Sequence, residues 1–273
     1  MTAHGTDRTV GTDRTVGTDR TVGTDRTVGT DRTVGTDRTA GTDGTVGTNS
    51  TDRSAARRIV PALFALAVAV DLGSLAAGSD LGHLVAKPFL MPLLAAWAAL
   101  LGAPRLLVVA VLFGWGGDVF LLFDAEAAFL AGMLSFAVGH LCYLALFRRG
   151  GPAHPRAARL APAYAIALVG TVALLWPDLP ADLRIPVAGY SALLTAMAYV
   201  AATRVGRTAG IGGALFLLSD TLIATGIAEW PQPPRPDLWV MLTYLAAQFL
   251  IVRGVLDRPT APRPAPDVRP ARA

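Results

Sequence analysis

The sequence contains little charge and almost no cysteine. Its single cysteine, Cys142, excludes a disulfide within the chain, and its position in an apolar block indicates a buried, inert thiol. Only 16% of the 273 residues are charged, 52% are hydrophobic, and the mean hydropathy is +0.46. A water-soluble domain alternates apolar and polar positions, whereas the blocks between residues 58 and 257 are apolar all round. The sequence therefore predicts an all-α, polytopic transmembrane helical bundle.

Both ends of the chain lack the apolar residues that a packed core needs. Residues 1–57 are dominated by the hexapeptide Gly-Thr-Asp-Arg-Thr-Val, repeated six times between Gly5 and Ala40, and residues 258–273 are rich in proline and arginine. Neither segment can bury enough apolar surface to offset its chain entropy. We therefore expect a disordered leader over 1–57, a membrane domain over 58–257, and a disordered tail over 258–273.

The membrane domain divides into eight apolar segments, each close to the length of about 20 residues that crosses a bilayer. Breakers or charges separate them, as in the segments 102–104 and 230–234. The predicted spans are residues 58–78, 83–101, 105–123, 127–148, 159–177, 184–203, 209–228 and 238–256.

Arginine is distributed unevenly between the connecting loops. With the N-terminus inside, the external loops hold only Arg184 and Arg235, and the remaining loop arginines fall on the cytoplasmic side. This bias predicts that both termini are cytoplasmic, which an even number of spans requires. The same arginines explain the isoelectric point near 9.7, so we expect no nucleic-acid partner. The expected location is a bacterial inner (plasma) membrane, with several passes through the bilayer.

Two carboxyl groups, Asp118 and Asp220, lie in the middle of predicted spans. A charged side chain at the centre of a bilayer costs about 2.5–3.5 kcal/mol even on the most lenient scale, so such groups usually have a function. An alternative is a structural ion pair, Asp118 or Asp71 with Lys87. The polar residues within the predicted spans are Asp71, Lys87, Asp118, His140, Tyr143, Tyr190, Ser219, Asp220, Tyr244 and Gln248.

Helical spacing places several of these side chains on faces that line an interior. The fourth span carries a face with steps of three and four residues, made of Phe129, Gly132, Phe136, His140 and Tyr143. The seventh span repeats the pattern with Gly213, Phe216 and Asp220. In the third span, Gly114 and Gly117 precede Asp118 and allow a partner helix to approach closely. An alternative is that the glycines and aromatics, and His140 with them, serve packing only.

The order and spacing of these motifs resemble the YhhN-like lysoplasmalogenase family, over about residues 58–256. The motifs that carry the resemblance are Lys87-Pro88 with Met91, Gly117-Asp118, the face from Phe129 to Tyr143, Gly213 to Phe216 before Ser219-Asp220, and Tyr244 with Gln248. Family members hydrolyse the vinyl ether bond of lysoplasmalogens to a fatty aldehyde and a glycerophospho-ethanolamine or -choline. The resemblance implies a lysophospholipid substrate, a bilayer setting, and Asp118 and Asp220 as catalytic carboxyl groups. Residues expected to bind substrate or to support the site are Lys87, His140, Ser219, Tyr143, Tyr244, Gln248 and Asp71.

Two carboxyl groups suit the chemistry of a vinyl ether. Protonation of its β-carbon gives an oxocarbenium ion, which water captures before the hemiacetal collapses. We hypothesise that one aspartate is a general acid while the other, ionised, stabilises the cation and orients water. The sequence does not assign the two roles to particular aspartates. Lys87 is expected to contact the lipid phosphate or to hold one carboxylate ionised. No cofactor is expected.

Two other functions use the same residues. A zinc hydrolase requires about three His ligands. Of the four histidines, His4 lies in the leader and His154 in a loop, while His83 is expected on the outer side of the membrane and His140 on the cytoplasmic side. A zinc site made of two aspartates and one histidine stays an alternative, although we expect no metal. An ion- or proton-coupled transporter would use the same aspartates, but paired breaks within spans, which favour a transporter, are not evident in the sequence.

Overall fold

The computed structural model describes residues 31–149, 151–153 and 157–258, with side chains from residue 52 onward except those of residues 157 and 158. Within these residues the chain forms eight α-helices and no strand. The helices are α1 (Asp31–Ala77), α2 (Asp80–Leu100), α3 (Arg105–Phe120), α4 (Glu126–Arg148), α5 (Ala157–Leu175), α6 (Arg184–Val200), α7 (Arg207–Ile227) and α8 (Pro236–Leu256), and a π-helical turn, Ala201–Val205, follows α6. The chain divides into two compact units, Met1–Ala55 and Ala56–Ala273. All the candidate site residues lie in the second unit.

The eight predicted helices are confirmed, although α3 and α5 end before their predicted last residues, 123 and 177. Six described helices are long and apolar enough to cross a membrane, and α3 and α5 are not among them. Helix α5 ends at Leu175 because Trp176 precedes Pro177, and the residue before a proline disfavours helical geometry. Helix α3 ends at Phe120. The Leu121 amide makes its last helical hydrogen bond, to the Gly117 carbonyl, and the Leu122 and Phe123 amides then bond to carbonyls three residues back in a tighter turn that starts the connection to α4.

The first helix begins within the repeat leader, at Asp31. Residues 1–30 and 259–273, where we predicted disorder, lie outside the described residues. Over residues 31–57 the backbone is helical, which differs from the prediction. Its apolar part, Asp52–Ala77, is long enough to form a stable helix, and each residue added to an existing helix gains one hydrogen bond.

Small residues set the helix packing. A Cβ atom on Gly213 of α7 would lie 2.8 Å from the Ala198 Cα of α6, and one on Gly212 would lie 2.8 Å from the Ala247 carbonyl oxygen of α8. At Gly117 of α3 it would lie 2.4 Å from the Phe136 ring of α4. Close backbone approach through small residues is how helices associate in a bilayer, where the apolar solvent provides no hydrophobic driving force.

Apolar side chains are distributed as in a lipid-embedded bundle. Large apolar residues on the outer faces are exposed, including Leu134 at 67% and Ile166 at 72%. A separate group, the loop cluster, is formed by Leu175, Leu179, Leu183, Val187 and Ala228. It packs against Trp230, whose indole nitrogen donates a 2.8 Å hydrogen bond to Asp178 Oδ2. The loop cluster therefore joins the segment after α5 to the segment after α7 at one end of the bundle.

Candidate active site

A cavity of about 170 Å³ lies between α4, α5, α6 and α7. Its lining is mostly apolar, and Asp220 of α7 supplies the only carboxyl group among the described residues that line it. Ala167 and Leu218 also line it and are exposed on the outside of the bundle, Leu218 at 47%. The cavity therefore opens sideways, where a bilayer would present lipid. Its polar lining consists of Thr171, Tyr190, Ser191, Thr195, Asp220 and Thr221.

The Asp220 carboxyl group is held by a tyrosine. Tyr190 of α6 donates a hydrogen bond of 2.5 Å from its hydroxyl to Asp220 Oδ2. The Tyr190 hydroxyl oxygen also lies 3.0 Å from His140 Nε2 of α4. No other hydrogen bond to Asp220 is found in the described part of the chain, so its second oxygen, Oδ1, is available to a molecule in the cavity.

Asp118 of α3 lies in a different environment, at 3% exposure and away from the cavity lining. Its Oδ2 accepts a 2.8 Å hydrogen bond from the Tyr244 hydroxyl of α8. Gln248 Nε2 donates to the Tyr244 oxygen at 3.3 Å, and Tyr143 donates to Gln248 Oε1 at 2.6 Å. Tyr143, Gln248 and Tyr244 therefore form a buried hydrogen-bond chain that ends on Asp118.

Aromatic rings fill the space between the two aspartates. The Phe216 ring packs edge-on against His140 at 4.7 Å and against Tyr244 at 5.4 Å, while Phe136 packs against both Phe216 and Tyr244. The carboxyl groups nevertheless interact electrostatically. The predicted inner face of the fourth helix is confirmed, since Gly132, Phe136, His140 and Tyr143 are all buried and Phe129 lines the cavity.

Two predicted supporting residues have other partners than expected. Asp71 pairs with His83, whose Nδ1 lies 2.8 Å from Asp71 Oδ1, and the alternative of an Asp71–Lys87 ion pair is not observed among the described residues. Lys87 is 8% exposed and acts electrostatically on Asp118, but no carboxylate of the described residues lies within 4.0 Å of its ammonium group. Residues 71 and 83 meet across the turn at Gly78 and Ser79, which joins α1 to α2.

Ser219 is buried and turned away from the cavity. Its hydroxyl donates a 3.1 Å hydrogen bond to the Val240 carbonyl oxygen of α8, which ties α7 to α8. It does not line the cavity. Across the described residues, no three His, Cys, Asp or Glu side chains are close enough to hold a metal ion together.

Fold and site together define an all-helical, multi-pass integral membrane protein with a candidate active site built on buried carboxyl groups. The chain belongs to the YhhN family, whose profile matches residues 82–255.

The chain is also similar to named relatives. It is 35% identical to lysoplasmalogenase TMEM86B of Homo sapiens over 158 residues, which cover 58% of this chain and 66% of that protein. It is 39% identical to lysoplasmalogenase TMEM86B of Sus scrofa over 132 residues, which cover 48% of this chain and 56% of that protein. It is 31% identical to lysoplasmalogenase TMEM86A of Bos taurus over 159 residues, which cover 55% of this chain and 64% of that protein. The matches thus span between about half and two thirds of these relatives, and no solved structure matches the chain.

Proposed function

We propose that this protein hydrolyses the vinyl ether bond of lysoplasmalogens, releasing a fatty aldehyde and a glycerophospho-ethanolamine or -choline. The observation that carries the proposal is the Asp220 carboxyl group in the wall of an apolar cavity that opens sideways. Similarity to three lysoplasmalogenases supports the choice of substrate. The proposed substrate has one long apolar chain, which suits the mostly apolar lining.

In the proposed reaction Asp220 acts as the general acid. The proton on Oδ1 passes to the β-carbon of the vinyl ether, and the electrons of the carbon–carbon double bond form the new C–H bond. The ether oxygen then shares its lone pair with the α-carbon, which gives the oxocarbenium ion, while Asp220 becomes a carboxylate. A general acid of this kind contributes on the order of 10²–10⁴-fold to a rate.

The same carboxylate completes the reaction. Water adds to the α-carbon and gives up a proton to Asp220, which restores its acid form. The resulting hemiacetal breaks its bond to the glycerol oxygen; its hydroxyl proton is transferred to that oxygen, directly or through the site, and leaves aldehyde and alcohol. The sum is one water consumed per vinyl ether cleaved, so neither an oxidant nor a cofactor is consumed.

In this proposal Asp118 acts without touching the substrate. Its carboxyl group interacts electrostatically with Asp220 and with Lys87, and it lies behind the aromatic rings that line the site. An ionised Asp118 supplies negative charge that favours the oxocarbenium ion from a preorganised position. We assign Lys87 to balance this charge or to contact the lipid phosphate.

The direct test is aldehyde release from lysoplasmenyl-ethanolamine by the purified, full-length protein in detergent. In heavy water, the aldehyde should carry one deuterium on the carbon next to the carbonyl, because that carbon receives the proton. The saturated alkyl ether analogue should not react, since it has no double bond to protonate. Asp220→Asn should lose the activity, whereas Asp257→Asn, in an exposed ion pair with Arg253, should keep it.

Three results would contradict the proposal. A folded parent protein that forms no aldehyde would exclude this substrate. Aldehyde without deuterium on that carbon would exclude protonation of the double bond. Full activity in Asp220→Asn would exclude the assigned acid.

A further inference from the structure

We propose that Tyr190 is a positioning residue of this site, and that it fixes Asp220 so that Oδ1 faces the cavity. The effect of Tyr190 on catalysis rests on the proposed hydrolysis, whereas the hydrogen bond between Tyr190 and Asp220 does not depend on it. Tyr190 satisfies both geometric requirements: it lines the cavity, and it donates to Asp220 Oδ2 at 2.5 Å. With Oδ2 engaged, rotation of the carboxyl group is restricted and Oδ1 is the oxygen presented to substrate.

The direction of this hydrogen bond defines the role of His140 as a donor to Tyr190. The Tyr190 hydroxyl has one proton, and a proton directed at Asp220 leaves only lone pairs facing His140. His140 must therefore donate from Nε2, across the 3.0 Å distance to the Tyr190 oxygen. The chain of donors runs from His140 to Tyr190 to Asp220, across α4, α6 and α7.

An unpartnered nitrogen supports this assignment. With its proton on Nε2, His140 carries a bare lone pair on Nδ1, and this buried atom has no hydrogen-bond partner among the described residues. A buried polar atom left unsatisfied costs about 1–3 kcal/mol, so an apolar ring at this position would serve packing without that cost. We infer that His140 is kept for the orientation that it imposes on Tyr190.

The sequence offers a matched pair of variants. Tyr190→Phe removes only the hydroxyl, and Tyr164→Phe does the same at a tyrosine of α5 that packs edge-on against Tyr199 and does not line the cavity. We expect Tyr190→Phe to lower kcat on the order of 10–100-fold, as misplacement of a catalytic group does, with KM changed less than about threefold. Tyr164→Phe should match the parent. In an Asp220→Asn background, Tyr190→Phe should cause no further loss.

An infrared measurement tests the pairing without any turnover. The carboxyl stretching band of Asp220 is identified in the full-length protein as the band lost in Asp220→Asn. We expect this band to shift in Tyr190→Phe, because its carboxyl group loses a hydrogen bond, and to stay in place in Tyr164→Phe.

The two measurements separate the possible failures. A band that does not move in Tyr190→Phe overturns the pairing. A shifted band with unchanged kcat overturns the positioning role. If the parent forms no aldehyde but the band shifts, the proposed hydrolysis fails while the pairing stands.

Discussion

Asp118 and Asp220 have the same side chain, but their surroundings give them different access to substrate. Asp220 reaches the cavity, and Asp118 is enclosed behind Tyr244 at 3% exposure. An asparagine at either position keeps an oxygen that can accept the tyrosine hydrogen bond. The two substitutions therefore change proton transfer and charge while retaining shape.

We predict unequal losses for the two substitutions. Asp220→Asn removes the proton donor and should lower kcat on the order of 10³-fold or more. Asp118→Asn removes charge at a distance and should lower it on the order of 10–100-fold. Aldehyde release at saturating substrate measures both, with melting temperatures confirming that each variant is folded. A larger loss in Asp118→Asn would reverse the assignment of the acid.

His140→Phe separates activity from stability. The variant removes the unpartnered Nδ1, loses the hydrogen bond from Nε2 to Tyr190 and keeps a ring against Phe216, so its melting temperature should stay close to that of the parent. Its activity should fall about tenfold, because Tyr190 loses the donor that orients it. Thermal unfolding in detergent and aldehyde release are the two measurements. A destabilised but fully active variant would show that His140 serves packing.

At the residue scale, the sequence identified polar side chains within the spans but not how they pair. Both aspartates, His140 and Tyr244 could be identified because polar groups stand out in apolar spans, whereas the hydrogen bonds that join Tyr143, Gln248 and Tyr244 could not. Tyr190 was identified as polar but not placed in the site, and His83 was not predicted to pair with Asp71. These partners are 30 and 12 residues apart, and their meeting depends on helix rotations that hydropathy does not encode.

At the element scale, close contacts between helices distinguish two kinds of glycine. Gly213 of α7 faces the Ala198 backbone of α6, whereas Gly170 of α5 has no atom within 4 Å of the position that a Cβ would occupy. The first glycine is required by packing. The second only weakens its helix.

Gly213→Ala and Gly170→Ala should therefore have opposite effects. The first should destabilise the protein by roughly 1–3 kcal/mol, because α6 and α7 must separate to accept the methyl group. The second should stabilise it by roughly 0.5–1 kcal/mol, the usual difference between alanine and glycine within a helix. Melting temperatures of the two variants in the same detergent test this, and a shift in the same direction for both would contradict it.

Helix boundaries show where pattern reading reaches its limit. The number and order of the helices follow from hydropathy, since each apolar segment is separated from the next by breakers or charge. A local turn ends α3 early, and Pro177 ends α5 early. Neither feature alters the average hydropathy of its segment enough to be detected from hydropathy alone. The helical backbone before residue 58 was not predicted, because the repeat has no apolar face.

For the whole molecule, the arginine distribution makes a testable statement about topology. Cys142 is the only cysteine, so Cys142→Ser provides a background without reactive thiols. In that background, Ser79→Cys lies in the α1–α2 connection, and Ala153→Cys lies between α4 and α5. We propose that the first faces outside and the second faces the cytoplasm.

A membrane-impermeant thiol reagent applied to intact cells should label Ser79→Cys and leave Ala153→Cys unlabelled. Lysis should make both cysteines reactive, which controls for local burial. Labelling of Ala153→Cys alone in intact cells would mean that the orientation is the reverse.

The sideways opening of the cavity between Ala167 and Leu218 bears on how the protein would meet its substrate. A molecule that arrives through this opening is drawn from the plane of the membrane, so the relevant quantity is its mole fraction among neighbouring lipids. At fixed bulk substrate, adding more detergent or inert lipid would slow the reaction by surface dilution. The rate would then depend on the amount of substrate per unit area of membrane or micelle surface. A KM expressed in molar units would therefore change with the amount of detergent or lipid in the assay.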